Sequence, residues 1–326
     1  MNKSEIVELI KGGESSGVEF KQDNAHVDQI AKEISASREA TREEEARLYQ
    51  ASHLMRYDIK PVPGTDISKL DHRRLRNYLG EILKEPSVPE ADDQLEAILV
   101  NLDILIPDRG INAASVAGLL LFGDTPKRFL PQAGITAAAY PGTDKDYDTL
   151  DEELIRGPIV SLLARNGRIV EDGIIDQAAH FVLRNTGTTA YLDGGRRIRV
   201  PVYPPEAVRE AITNAVAHRD YTITVTDIEL SLYRDRLEVI SPGRLPNTVT
   251  VAKMKQGYRA ARNELIKEIL RDYGYVEHRG MGVRRKLIQG MREHNGTEPD
   301  LIETEDRFIV RLWKTAESRL QRDSER

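Results

Sequence analysis

The sequence predicts an α+β fold, and two features of its 326 residues predict it. Apolar residues recur at helical spacing along much of the chain, which marks amphipathic helices. Between those stretches lie short alternating or β-rich runs at 133–140, 197–203, 227–233, 237–240 and 308–313, which mark strands. No internal repeat or low-complexity linker interrupts the pattern.

The elements follow in order. Ile6, Leu9 and Ile10 predict a short helix over 3–11, and 12–17 is a glycine- and serine-rich turn. Val18-Glu19-Phe20-Lys21 alternates as a half-buried strand does. A charge-rich helical stretch covers 24–50, with Thr41 and Glu44 at capping-box spacing. Pro61 and Pro63 exclude a helix interior at 58–65. Helices are expected at 70–84, 91–102, 113–122, 150–164 and 170–185. A helix opened by Pro204-Pro205 follows, then a hairpin turning at Arg234-Asp235-Arg236. Amphipathic helices at 261–273 and 281–293 precede the last strand, and 314–326 is a charged tail.

Composition bounds the function. Hydrophobic residues make up 40% and charged residues 31%, enough to bury cores in a soluble chain. The absence of cysteine excludes disulfides, thiol catalysis and thiolate metal sites. No apolar run reaches transmembrane length and the opening residues lack a signal-peptide core, so a cytoplasmic location is expected. A net charge of −6 argues against a globally basic nucleic-acid binder, though a local basic patch remains compatible with it.

Glu210, Asn214 and His218 stand four residues apart, which stacks them on one face of the helix after Pro205. Val208, Ala211, Ile212 and Ala215 form the opposite, apolar face. A carboxylate one turn before an amide can activate water while the amide helps hold a hydrated Mg²⁺. Two later segments can meet this helix. One is the turn Ser241-Pro242-Gly243-Arg244-Leu245-Pro246, where glycine lets backbone N–H groups approach a ligand. The other is Arg279-Gly280-Met281-Gly282-Val283-Arg284-Arg285-Lys286, a glycine turn opening a basic helix and suited to phosphate. Each has a plainer reading: Glu210 and Asn214 as helix solvation, His218 as a residue at a helix C-terminus, and the 279–286 charges as a solvated face.

Taken together these segments resemble the GHKL nucleotide-binding fold, the split ATPase module of gyrase B subunits, MutL, heat-shock chaperones and histidine kinases. Glu210-x-x-x-Asn214 matches its first motif, Ser241 to Leu245 part of its second, and Gly280 and Gly282 its third. Asn214-Ala-x-x-His-Arg-Asp-Tyr221, Ser-Pro-Gly-x-Leu-Pro at 241–246, Gly118-Leu-Leu-Leu-Phe-Gly123 and Arg128-Phe-Leu-Pro-Gln-Ala133 resemble the RecG-like regulators in particular. The chain departs from the motif where Ser241 or Pro242 stands near the place of the adenine-reading Asp and Leu245 replaces the second glycine. Glu14-Ser-x-x-Val-Glu19-Phe20-Lys21 resembles the opening of a Schlafen AlbA-like domain, much shortened here.

The resemblance implies a GHKL-like sandwich at 131–313, its mixed or antiparallel sheet carrying helices on one face. Before it come a mostly helical connecting region at 37–130 and a small N-terminal remnant at 1–36; the tail is 314–326. It also implies ATP with Mg²⁺, a lid over 244–279, Glu210 as catalytic acid or base, and Asn214 as the Mg²⁺ ligand. Asn214, His218, Ser241, Gly243, Arg279, Gly280 and Gly282 are the expected nucleotide contacts. The expected activity is a transcriptional regulator, at most a weak ATPase, that dimerises with nucleotide. The alternative is a regulator that binds double-stranded DNA through a winged-helix-like segment at 262–290, with Arg284, Arg285 and Lys286 on phosphates and a degenerate ATPase fold. A helicase is not expected, because no P-loop sequence is present.

Overall fold

The structure, a computed structural model, describes residues 56–193, 196–246, 249–258, 261–277, 281–315 and 318. The elements expected over 3–50, the residues Arg279 and Gly280, and most of the charged tail lie outside the described residues.

The first described segment winds α1 (His72–Asn77), which passes into a π turn over Tyr78–Ile82, and α2 (Asp92–Asn101). Asp71 caps α1 by accepting from the N–H groups of Arg73 and Arg74. A hairpin of β1 (Leu105–Asp108) and β2 (Ile111–Ala114) follows, so this region is not purely helical. Ala113 and Ala114 thus belong to a strand rather than to the expected helix. Ser115 sets the boundary: its Oγ accepts from Gly118 N at 2.9 Å and starts α3 (Val116–Phe122), every residue of which is buried. The short α4 (Pro126–Phe129) leads to the central sheet.

That sheet contains β3 (Ile135–Ala139), β4 (Asp151–Ile155), β9 (Ile228–Leu232), β10 (Arg236–Pro242), β11 (Asp300–Glu303) and β12 (Arg307–Trp313), in the spatial order β11-β12-β10-β9-β3-β4. The β3–β9 pair is parallel and the other pairs are antiparallel, so the sheet is mixed, as expected. Residues 150–164, expected as helix, are instead the edge strand β4 and the start of a small β5 (Leu162–Leu163) and β6 (Ile169–Glu171) hairpin. Asp-Glu-Glu-Leu-Ile has fair helix propensity, but pairing with β3 overrides it, and Gly157-Pro158 then stops any helix. For the same reason α5 (Ile174–Thr186) begins only after β6. The hairpin of β7 (Thr188–Asp193) and β8 (Arg196–Pro201) follows it.

Alternation along β10 sorts its two faces. Leu237, Val239 and Ser241 share the parity of the helix face, on which Ser241 meets α6 (Pro205–His218). Arg236 and Glu238 take the other face, where Glu238 Oε1 accepts from Arg236 Nε at 2.8 Å and from its cross-strand partner Arg311 at 2.7 Å. Helix α5 packs across β3, β4 and β9, α6 packs on β10, and the two helices pack on each other. Their inward stripes are Ile174, Ile175, Ala178, Phe181 and Val182, and Ala207, Val208, Ala211, Ile212, Ala215 and Val216.

After β10 come α7 (Val251–Lys255), α8 (Glu264–Asp272) and α9, which is π-wound over Gly282–Gln289 and then α-helical over Gly290–Asn295. One apolar core runs from Val62 to Leu312, so residues before 130 are packed into it. Tyr78 stacks on Tyr273 at 5.8 Å and donates to Asp272 at 2.8 Å. Asp58, fully buried, accepts from Leu265 N at 2.7 Å and thereby caps α8 from 207 residues away. Among the described residues no helix is long and apolar enough to cross a membrane.

Candidate functional site

Helix α6 is held from its C-terminal end. The last four carbonyls of a helix have no partner within it. Here each finds a different side chain. Ser241 Oγ donates to Ala215 O at 2.9 Å, and Tyr221 Oη to Val216 O at 3.1 Å. Asn263 Nδ2 donates to Ala217 O at 3.0 Å, and Arg262 Nη1 to His218 O at 3.3 Å. The chain then turns at Arg219, wholly buried, whose guanidinium donates to the carbonyls of Asp220, Ile223 and Thr226. Gly243 completes the brace. Its φ of +102° favours glycine, and a Cβ there would lie 2.5 Å from both Asp220 Cβ and Arg262 Nη1.

The upper face of α6 is polar. Asn214 Nδ2 donates to Glu210 Oε1 at 3.0 Å, and its Oδ1 is an acceptor that can receive a hydrogen bond or ligate. Gly282, at the start of α9, lies against the same carboxyl group: a Cβ there would sit 2.0 Å from Glu210 Oε1. The φ of Gly282 is not left-handed, so this glycine is needed for space and not for conformation. Glu210 Oε2 is buried without a hydrogen-bond partner among the described residues, and the Lys286 ammonium lies 3.5 Å from it. Lys286 is also 3.4 Å from Glu277 Oε1, so one cation spans two acids.

A cleft opens beside these groups. Glu210, Asn214, His218, Lys267, Glu277 and Gly282 supply its polar wall, and Leu245, Pro246, Val249, Met254 and Tyr258 face them. Its volume is about 90 Å³, well below the roughly 300–1,000 Å³ of ordinary small-molecule sites. Among the described residues no group of three or more His, Asp or Glu forms a metal cage. A Mg²⁺ here would need ligand oxygens and water in addition to Asn214, which is the usual way this ion is held beside phosphates.

Residues 226–312 match the family model described as "Putative ATP-dependent DNA helicase recG C-terminal". The C-terminal module is ATPase-like. The match takes in Lys267, Glu277, Gly282 and Lys286, while Glu210 and Asn214 lie before it. The crystal structure of the DIP2311 protein from Corynebacterium diphtheriae superposes with a TM-score of 0.58 at 21% identity, over 84% of this chain and 50% of that one. That likeness is one of fold, and the chain spans half the length of that protein. No curated protein matches the sequence.

Of the expected set, Glu210, Asn214 and His218 from α6, before the matched residues, and Gly282, within them, surround one cleft. Ser241 and Gly243 do not line it. They lie under the α6 terminus, and the Ser241 proton is committed to Ala215. Lys286, expected on a nucleic-acid surface, is turned instead to Glu210 and Glu277, while Arg284 and Arg285 are exposed. Sequence reasoning missed Lys267 and Glu277 as lining residues.

Burial pushes the Glu210 carboxyl above the ordinary glutamate range, against the opposing pull of Lys286 and Asn214. Burial, with the charges of Lys267 and Arg262 adding to it, lowers the His218 imidazole to about 4, so at neutral pH the ring is uncharged. The first shift has a consequence for stability. A carboxyl whose pKa is raised by folding binds more protons folded than unfolded. Stability therefore falls as pH rises from the ordinary glutamate value through the folded one, and the cost persists at higher pH. Glu210→Gln removes that cost. At pH 7 the variant is expected to be more stable than the wild type, with the gap closing as the pH falls below the ordinary glutamate range. Thermal melting across pH checks this, and a variant less stable than wild type at pH 7 would show that the buried charge is net favourable.

Proposed function

We propose that the chain is a nucleotide-responsive regulator that binds ATP with Mg²⁺ in the cleft between α6 and the start of α9. The observation that carries this reading is the approach of Gly282 to Glu210: an acid, its amide partner and a glycine without room for a side chain converge on one wall. The buried Glu210 Oε2, which has the Lys286 ammonium 3.5 Å away, and Asn214 Oδ1 fit an attacking water and a hydrated cation. Asn214 Oδ1 would hold Mg²⁺, which when bound neutralises charge on phosphate oxygens. Glu210, made more basic by burial, would orient a water and accept its proton, while the Asn214 amide keeps the carboxylate in place. The apolar segment with Leu245, Pro246, Val249, Met254 and Tyr258 would move outward to admit a nucleotide and close over it to exclude water. Closure of that kind is the two-state element a regulator needs, and homodimerisation is the readout we assign to it.

The nucleic-acid alternative keeps the exposed Arg284 and Arg285, but Lys286 now faces two carboxylates. The cleft therefore favours the nucleotide reading. Calorimetric titration with ATP and Mg²⁺ tests it. Asn214→Ala is expected to weaken Mg²⁺-dependent ATP binding by roughly tenfold or more, the worth of one charge-assisted contact. Equal heats for wild type and variant would refute the assignment.

A further inference from the structure

The charges lining the cleft are unevenly matched. Its acids, Glu210 and Glu277, share the ammonium of Lys286. Arg262, beside the cleft, donates to the carbonyls of His218 and Arg244 and lies 3.8 Å from Asp220. Lys267 differs from both cations. It lines the cleft and is half-buried, and it has no carboxylate within ion-pairing distance among the described residues. Its position is also fixed. Helix α8 is capped by Asp58 through Leu265 N, and Asn263, at its start, is tied to Ala217 O and Arg219 O at the end of α6. These ties bring Lys267 to the His218 end of the cleft, and its charge helps keep that imidazole neutral. The apolar stripe of α8 is Leu265, Ile266, Ile269 and Leu270, so packing alone does not call for an ammonium at 267. A partly desolvated cation without a counterion is costly unless an anion completes it.

We propose that Lys267 is the anion contact of this cleft, that it pairs with a phosphate of the bound ligand at the His218 end, and that it makes the site select nucleoside polyphosphates over uncharged nucleosides. This inference rests on the nucleotide reading above. It adds a residue and a selectivity that the sequence motifs do not contain.

The test titrates the full chain and its Lys267→Gln and Lys267→Arg variants with ATP and with adenosine, in the presence of Mg²⁺, by calorimetry. Lys267→Gln is expected to lose roughly ten- to a hundredfold in ATP affinity while adenosine affinity stays within about twofold. Lys267→Arg, which keeps the charge, is expected to restore most of the ATP affinity. A general loss of structure would lower both ligands together, so the ratio of the two affinities reports on the contact itself. An unchanged ratio in Lys267→Gln, with wild type binding ATP, overturns the role of Lys267 and leaves the nucleotide reading intact. Failure of the wild type to bind ATP removes both.

Discussion

Gly282→Ala is expected to abolish measurable ATP binding while leaving most of the fold intact. The added methyl would lie 2.0 Å from Glu210 Oε1, 2.5 Å from its Cδ and 2.8 Å from Oε2, so the whole carboxyl group must leave its place. It has little room to do so. Asn214 holds Oε1, Lys286 faces Oε2, and the helix beneath is packed through Ala211 and Ile212. Either Glu210 swings into the cleft and fills a space already small, or the start of α9 is displaced from α6. Both outcomes separate the acid from the glycine. Overpacking of this kind costs about 1–3 kcal/mol in stability. Calorimetry reads the binding and thermal melting reads the stability. A double-mutant cycle gives the stricter measurement: Glu210→Ala removes the clashing group, so Gly282→Ala should cost much less in that background, with a coupling of about 1–3 kcal/mol. Strict additivity would mean that Gly282 and Glu210 do not constrain each other, and ATP binding equal to wild type would detach their contact from nucleotide recognition.

How much of this was legible in the sequence depends on the range of the interaction. The polar face of α6 was legible because four-residue spacing fixes it locally, and the apolar face behind it follows the same period. The hairpin of β9 and β10 was legible from its alternation and its turn. Gly282 was found as part of a motif, yet its role differs from the one the motif suggests. The expectation was an anion cradle at a helix start, and the structure shows a Cβ-free space that lets α9 rest on a carboxylate. The edge strand β4 was misread as helix because Asp-Glu-Glu-Leu-Ile carries no β signal of its own and is set by its neighbour β3. Ser241 stood out in the phrase Ser-Pro-Gly, but its partner, Ala215 O, is 26 residues away. Lys267 was invisible for a different reason. What distinguishes it is its place in the cleft with no carboxylate within ion-pairing distance among the described residues, which only the arrangement of separate segments defines.

Asn263→Ala carries the largest expected loss of stability. Asn263 is wholly buried, and its amide donates to Ala217 O at 3.0 Å and to Arg219 O at 2.9 Å. Removing it strips the carbonyls of Ala217 and Arg219 of this donor in a fully buried position. Each such loss costs about 1–3 kcal/mol, so the variant should lose roughly 2–4 kcal/mol after partial relaxation. Against a total of about 5–15 kcal/mol for a folded domain this is a large fraction. In a chain of this size it corresponds to a fall in Tm of roughly 4–16 °C, since each 1 kcal/mol is worth about 2–4 °C. The loss has a direction as well as a size. The capped turn is the one that leads from His218 into Arg219, so loosening it frees the end of α6 next to Lys267 before it disturbs Glu210, two turns earlier. Hydrogen exchange should therefore show protection lost first at 216–223, with 207–212 retained. A Tm within about 2 °C of wild type would mean that the α6 terminus does not depend on this side chain. The four-way cap would then be geometry without energetic weight, and the fixed position of the cleft would need another cause.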